Sequence, residues 1–138
     1  MSKIAKSAAD ILNVMLHFQN QVRLYHWGTK LYPRHVASGD LYDKMDSFLD
    51  KFVETYMGKF HGGSLSGPPF SYNKMNIELH NMNDVDIVST LNDFKAFLAD
   101  DLYGWLSNIP HHTNTDLKNL VDEIMGNVNK TLYLFTLS

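Results

Sequence analysis

The sequence predicts an all-α fold, a four-helix bundle in which one long crossover connection joins helices 2 and 3. Three observations lead to this prediction. Apolar residues recur at three- and four-residue steps along four stretches of the chain, which is the period of a helix with one buried face. Turn residues join these stretches into two hairpins, separated by a connection of about 25 residues. No segment alternates apolar and polar residues, so we expect essentially no sheet.

The first predicted helix runs from about Ser7 to about Thr29. Ser7 is a candidate N-cap because Asp10 follows it three residues later, and Gly28 is a candidate stop signal. One buried stripe is expected along this helix, formed by Ile4, Ala8, Ile11, Met15, Phe18, Val22 and Tyr25.

The second predicted helix runs from about Pro33 to about Met57. Proline suits a first helical turn, where its missing N–H would be unpaired in any case, and Gly58 is typical of a helix end. The connection from Gly58 to Met82 begins as a glycine- and proline-rich loop. Its later part, residues 74–80, suits either a short helix or an extended segment.

The last two predicted helices form the second hairpin. Helix 3 begins near Asn83 and carries the apolar residues Ile87, Leu91, Phe94, Leu98, Leu102 and Trp105. Residues 108–114, with Pro110, form a tight connection. Helix 4 begins near Thr115 and carries Leu117, Leu120, Ile124, Val128, Leu132 and Phe135.

Length and composition exclude several classes of protein. The 138 residues fit one domain over residues 1–138, and no composition break indicates a second. The 12 basic and 15 acidic residues give a net charge of −3, which is not the balance of a protein that coats nucleic acid. No apolar run approaches the roughly 20 residues that span a bilayer, and residues 1–10 lack the apolar core of a secretory signal. We therefore expect a cytoplasmic protein with no membrane contact.

Histidines and acids are the candidate metal ligands, because the chain has seven histidines and no cysteine. A mixed imidazole and carboxylate set suits iron, zinc or manganese. His26 follows Val22 by four residues and so lies beside the buried stripe of helix 1, whereas His35 opens helix 2. From this pattern alone, His26 is equally well explained as a core histidine that makes a hydrogen bond.

Helix 2 carries acids at an unusual spacing. Asp46, Asp50 and Glu54 are four residues apart and line one side of the helix. Like charges at this spacing repel by about 0.2–0.5 kcal/mol per pair, and a bound cation would relieve that repulsion. The neighbouring lysines Lys44 and Lys51 can also reduce this repulsion. The alternative interpretation is therefore that the acids are solvated or salt-bridged.

The intervals between these residues resemble the signature of the Dps family of mini-ferritins. That family has a His-Trp pair late in the first helix, here His26-Trp27, and a second histidine at the start of the second, here His35. An Asp-x-x-x-Glu pair follows, here Asp50 to Glu54, and the fifteen residues from His35 to Asp50 match the family. The resemblance covers residues 12–57, and beyond them it is architectural. Residues 41–59 are also similar to virus- and phage-encoded relatives.

The resemblance implies a ferritin-like four-helix bundle that assembles from two-fold dimers into a hollow homo-oligomer, a dodecamer. His26 and His35 of one chain and Asp50 and Glu54 of its partner would form a ferroxidase centre, with Asp46 as a further candidate metal ligand. The centre would oxidise Fe(II) with hydrogen peroxide or oxygen, and Fe(III) would be stored inside the shell. The expected location is the cytoplasm, or the host cytoplasm for a viral protein.

Two departures from the family pattern open a second interpretation. Gly39 occupies the position where the family has an aspartate, and the loop between the two histidines is three residues shorter. The alternative is therefore a non-catalytic ferritin-like structural or assembly protein with a degenerate metal site, which leaves the enzyme assignment open. The N-terminal segment holds only Lys3 and Lys6, so we expect weak or no DNA binding.

Overall fold

The computed structural model describes residues 8–61 and 79–138, which form four helices and, within those residues, no strand. Helix α1 spans Ala8–Gly28, α2 spans Tyr32–His61 and α4 spans Thr115–Phe135. Helix α3 is a continuous run of Asp86–Ala96, Phe97–Leu102 and Tyr103–Ser107. The predicted all-α class is confirmed. The Ser7 cap and most of the predicted 58–82 connection lie outside the described residues.

Contacts at the two ends of the bundle fix the helix directions. At one end, the Tyr25 hydroxyl near the end of α1 donates to Asp84, which precedes α3, at 2.7 Å. Arg34, in the first turn of α2, donates to the backbone oxygen of Asp84 at 2.6 Å and stacks over Phe135, the last residue of α4. At the other end, Lys59 of α2 pairs with Asp116 of α4 at 2.8 Å. Helices α1 and α4 therefore point towards the first end, and α2 and α3 point away from it.

The core is built from the stripes that the periodicity predicts. The predicted apolar positions from Ile11 to Tyr25 on α1 are all buried, as are those from Leu117 to Phe135 on α4 except for the half-buried Leu120 and Leu132. Phe18 of α1 and Phe94 of α3 stack face to face, with centroids 3.8 Å apart. Each such large apolar side chain contributes about 1.5–3 kcal/mol by leaving water, so these stripes dominate the stability of the bundle.

One boundary and one internal segment differ from the sequence prediction. Helix α2 does not end at Gly58 but continues to His61, because its last turn has tertiary partners: Lys59 pairs with Asp116 and Phe60 packs edge-on against His112. Helix α3 contains a π-helical segment, Phe97–Leu102, where a regular helix is predicted. A π turn inserts one extra residue, and here it allows the neighbours Phe97 and Leu98 both to be buried. Gly28 ends α1, as predicted.

Within the described residues, no helix is long and apolar enough to cross a membrane.

Candidate metal centre

The short loop between α1 and α2 brings His26 and His35 together. Their rings stack with centroids 4.0 Å apart and an angle of 13° between the planes. Nδ1 of His26 lies 2.7 Å from the backbone oxygen of His35, and Nδ1 of His35 lies 2.8 Å from the backbone oxygen of His26. Each histidine is thus fixed by the backbone of the other. We call this pair the histidine half-site.

These two hydrogen bonds determine the tautomer of each ring. A carbonyl oxygen can only accept, so Nδ1 carries the proton and donates in both residues. In the neutral ring the other nitrogen, Nε2, then keeps its lone pair. A metal-ligating histidine commonly donates its second nitrogen to a backbone carbonyl in this way, which orients the ring and raises its basicity as a ligand. The histidine half-site therefore has the hydrogen bonding of a pair of Nε2 ligands.

Ser38 and Gly39 hold the ring of His26 against α2. The Ser38 side chain is buried, and its Oγ lies 3.2 Å from Nδ1 of His26 and donates to the backbone oxygen of His35. A Cβ atom placed on Gly39 would lie 2.7 Å from Cε1 of His26, closer than real side chains approach. The imidazole therefore occupies the space that a side chain at position 39 would need, and a larger residue there would force the ring to shift. The sequence shows this glycine only as a departure from the family pattern.

A hydrogen-bonded network beside the histidine half-site fixes the ends of four segments. Asp84 accepts from the hydroxyls of Tyr25 and Thr29 at 2.7 and 2.9 Å, and these bonds hold the pKa of Asp84 below its ordinary value. Arg34 donates to the backbone oxygens of Asp84 and Phe135 and to the Ser138 hydroxyl. Because Tyr25 and Arg34 directly precede the two histidines, this network sets the register at which they meet. The sequence alone gives no signal for it.

The carboxylates lie further along α2. The Asp50 side chain hydrogen-bonds to Glu54, and this bond, followed by the negative charge of Asp50, raises the pKa of Glu54 above its ordinary value. Two carboxylates this close share a proton more readily than isolated ones do, and a cation would compete for the same place. We call Asp50 and Glu54 the carboxylate half-site. Its two members come together as the four-residue spacing predicts.

Asp46 is held differently from the other two acids. Its Oδ1 accepts a hydrogen bond of 3.1 Å from Nε2 of Gln19, a buried residue of α1. Asp46 and Asp50 both line a groove of about 370 Å³ between α1 and α2. The other residues of this α1–α2 groove are Leu12, Leu16, Gln19, Leu49 and Val53.

The two half-sites are far apart within one chain. Fifteen residues of continuous helix separate His35 from Asp50, which corresponds to about 22 Å at 1.5 Å per residue. Accordingly, no group of three His, Asp or Glu side chains suited to a metal occurs within residues 8–61 and 79–138 of the single chain. The histidine half-site lies on the α1 side of α2, because Gly39 contacts His26, and Asp50 of the carboxylate half-site lines the α1–α2 groove on that side.

Apolar side chains are exposed beside the histidine half-site. Near the histidines, Trp27 and Tyr32 are 66% and 73% exposed, and Leu31 and Val36 are 38% and 52% exposed. We call these four residues the hairpin patch. Arg23 lies over the rings of both Trp27 and Tyr42, so one face of this indole is already covered by a cation. Together with the α1–α2 groove, the hairpin patch gives this side of the molecule an apolar character typical of a protein–protein contact.

Comparison with known proteins places the chain in a family. The model of a family of unknown function (DUF5856) matches residues 26–135, a range that includes both half-sites. No curated protein and no solved structure matches the chain.

Proposed function

The chain belongs to the family of unknown function DUF5856, and from its two half-sites we propose that it is a Dps-like ferroxidase and iron-storage protein. Fe(II) is the substrate and hydrogen peroxide or oxygen is the oxidant, while zinc or manganese can occupy the same site in place of iron. The observation that carries this proposal is the reciprocal bonding of His26 and His35. It leaves two oriented Nε2 atoms in the tautomer that binds a metal, beside an exposed apolar surface.

The separation of the half-sites supports a centre shared between two chains. A two-fold axis that crosses the α1–α2 face between the half-sites would exchange their positions in a second copy. The histidines of each chain would then meet Asp50 and Glu54 of the other, and two equivalent centres would form per dimer. The α1–α2 groove and the hairpin patch would be covered in the same contact. Asp46, one helical turn before Asp50, adds a third carboxylate to that side.

The chemistry of the two half-sites suits Fe(II) oxidation. Carboxylates stabilise the higher charge of Fe(III), while imidazoles fix the position of the ion and leave room for an oxidant. Two Fe(II) ions supply the two electrons that reduce one molecule of peroxide. Because Asp50 raises the pKa of Glu54, a cation that binds this pair competes with the proton that the two carboxylates can share.

The helix directions favour a ferritin-like topology within the bundle. Helix α2 ends near the start of α4, at Lys59 and Asp116, whereas Asp84 before α3 lies at the opposite end, beside Tyr25. Ferritin-like bundles join two such parallel helices by a single long crossover, and we propose the same topology for this chain. We also propose that the dimers assemble into a closed dodecamer.

The second candidate function is a non-catalytic structural or assembly protein on the same fold. Gly39 favours it, because the ring of His26 fills the space in which the Dps family carries an aspartate. A centre without that carboxylate would bind iron less tightly. Metal analysis of the purified protein together with its mass in solution separates the two functions, since a metal-free dodecamer that takes up no iron would support the second.

The direct test of the proposed activity is anaerobic titration with Fe(II), followed by peroxide. We expect Fe(III) formation that depends on both half-sites, and therefore lower uptake by the His26→Ala and Glu54→Ala variants. Tyr133→Phe is a suitable control, because Tyr133 is an exposed residue of α4 outside both half-sites. Uptake by the unmodified protein no greater than that of the two alanine variants would reject the ferroxidase function.

A further inference from the structure

A second groove lies between α2 and α4. Its volume is about 490 Å³, within the range of about 300–1,000 Å³ typical of small-molecule sites. Phe48 and Ile124 form its floor and are only 5% and 2% exposed. Its rim consists of Lys44, Ser47, Lys51, Glu123, Gly126 and Asn127. An apolar floor within a polar rim is the usual composition of a site for a small organic molecule.

Gly126 keeps this α2–α4 groove open. It lies in the middle of α4, where glycine weakens a helix relative to alanine. Neither of the usual reasons for a helical glycine applies, since a Cβ atom at this position would have no heavy atom within 4 Å and the backbone is not left-handed. A larger side chain here would instead project into the groove. The absence of a side chain at Gly126 thus adds to the open space of the groove.

The charges on the rim select the kind of ligand. Lys44 and Lys51 are two turns apart on α2, so their ammonium groups can reach the same groove. Neither ammonium group has an ion pair or hydrogen bond within the described residues. Glu123 contributes one negative charge, so the rim carries a net charge of +1. Such a rim attracts a single anionic group.

From the open groove, its apolar floor and its charged rim, we infer that the α2–α4 groove binds a small amphiphilic monoanion. The ligand class is an organic acid with one carboxylate and an apolar chain. The carboxylate lies between Lys44 and Lys51, where charge-assisted hydrogen bonds hold it, and the chain covers Phe48 and Ile124. This binding is independent of iron, because the groove lies between α2 and α4 rather than on the α1–α2 face.

Isothermal titration calorimetry with decanoate tests the ligand class on the full chain. We expect saturable binding of one decanoate per chain, and binding of the neutral analogue decan-1-ol weaker by about tenfold or more. The double variant Lys44→Gln, Lys51→Gln should bind decanoate as weakly as decan-1-ol. Lys130→Gln is the control, because Lys130 is exposed on α4 outside the groove. Absence of saturable binding, or equal binding by the double variant and the control, would overturn the inference.

Filling the groove gives a second test that does not depend on charge. Gly126→Leu should abolish decanoate binding and leave thermal stability equal or higher, because leucine is a better helix former than glycine. Gly58→Leu is the matched control, since Gly58 is an exposed helical glycine of α2 with nothing within 4 Å of its Cβ position. Equal decanoate binding by both variants would overturn the inference. So would loss of assembled mass in Gly126→Leu alone, which would assign the groove to a contact between chains.

Discussion

Nδ1 of His26 lies 2.7 Å from the backbone oxygen of His35, and Nδ1 of His35 lies 2.8 Å from the backbone oxygen of His26. This reciprocal arrangement makes the loop between α1 and α2 part of the candidate metal centre. The backbone oxygen of each histidine holds the ring of the other in one orientation through Nδ1. Both Nε2 atoms remain for a ligand.

Position 39 gives the sharpest test of this geometry. Gly39→Ala places a Cβ atom 2.7 Å from Cε1 of His26, so the ring has to move away from α2. We expect a loss of about 1–3 kcal/mol in unfolding free energy, typical of overpacking, together with weaker metal binding. Urea unfolding and Zn(II) titration measure the two effects.

Gly58→Ala is the control for that substitution. Position 58 is also a glycine within α2, but it is exposed and has nothing within 4 Å of its Cβ position. There alanine should stabilise the protein by about 0.5–1 kcal/mol, because only helix propensity changes. Equal effects at positions 39 and 58 would mean that His26 does not lie against Gly39.

The carboxylate pair should have a distinctive pH dependence. The hydrogen bond that protonated Glu54 donates to the Asp50 carboxylate raises the pKa of Glu54, so the folded protein retains this proton at a pH at which the unfolded chain has lost it. The folded state therefore binds more protons, and the contribution of the pair to stability falls as the pH rises through the raised pKa. Below the pKa of the unfolded chain both states hold the proton, so the pair does not destabilise the folded state.

An NMR titration of the Glu54 side chain measures this pKa directly. We expect a midpoint above that of an ordinary glutamate, and a lower midpoint in Asp50→Asn, whose amide can donate to the Glu54 carboxylate. Zn(II) should release the shared proton near the midpoint. An unchanged midpoint in Asp50→Asn would show that the two side chains do not interact.

The network around Asp84 should stabilise the end of the bundle that carries the histidines. Tyr25→Phe removes the 2.7 Å hydrogen bond to Asp84 and should cost about 1–2 kcal/mol at neutral pH, allowing for partial solvent screening. The pKa of Asp84 is lowered in the folded state, so this contribution is present above the unfolded pKa and is lost as the pH falls through the lowered value. Urea unfolding at fixed protein concentration, at neutral and at acid pH, measures the difference.

Tyr133→Phe is the matched control for that measurement, because Tyr133 is 61% exposed. It should leave the unfolding free energy unchanged within about 0.5 kcal/mol at both pH values. A loss in Tyr25→Phe that stays the same in acid would assign it to packing rather than to the bond with Asp84.

The hairpin patch should be part of the contact between chains. Val36 is 52% exposed and directly follows His35, so Val36→Glu should leave the single chain folded while it places a charge in the contact. We expect a smaller mass by light scattering and a lower rate of Fe(II) oxidation. Val85→Glu is the control, at a residue 78% exposed before α3. An unchanged mass in Val36→Glu would remove the hairpin patch from the proposed interface.

The helices could be predicted from the sequence because their signals are local. The stripe from Ile11 to Tyr25 repeats at the helical period, and Gly28 ends α1 as predicted. The extension of α2 past Gly58 and the π segment in α3 could not be predicted, because both depend on tertiary packing. Lys59 and Phe60 acquire partners from the α3–α4 hairpin, which no window of sequence around Gly58 reveals.

The candidate ligand residues could be predicted from the sequence, but the way in which the fold brings the two histidines together could not. The four-residue spacing of Asp50 and Glu54 brings them together on α2, as expected of a helix. The contact between His26 and His35 depends instead on the path of the intervening loop and on the Tyr25–Asp84–Arg34 network. Gly39 shows most clearly what the sequence alone could not predict, because its role depends on contact with the ring of His26, thirteen positions earlier.

Complementation between two inactive variants tests most directly whether the centre is shared between chains. His26→Ala and Glu54→Ala are each expected to lose Fe(II) oxidation. When they are co-expressed, half of the random pairings are mixed, and each mixed pair has one complete centre of two. Peroxide-dependent Fe(II) oxidation should therefore recover to about one quarter of the unmodified rate. A co-expressed protein no more active than either variant alone would contradict the account.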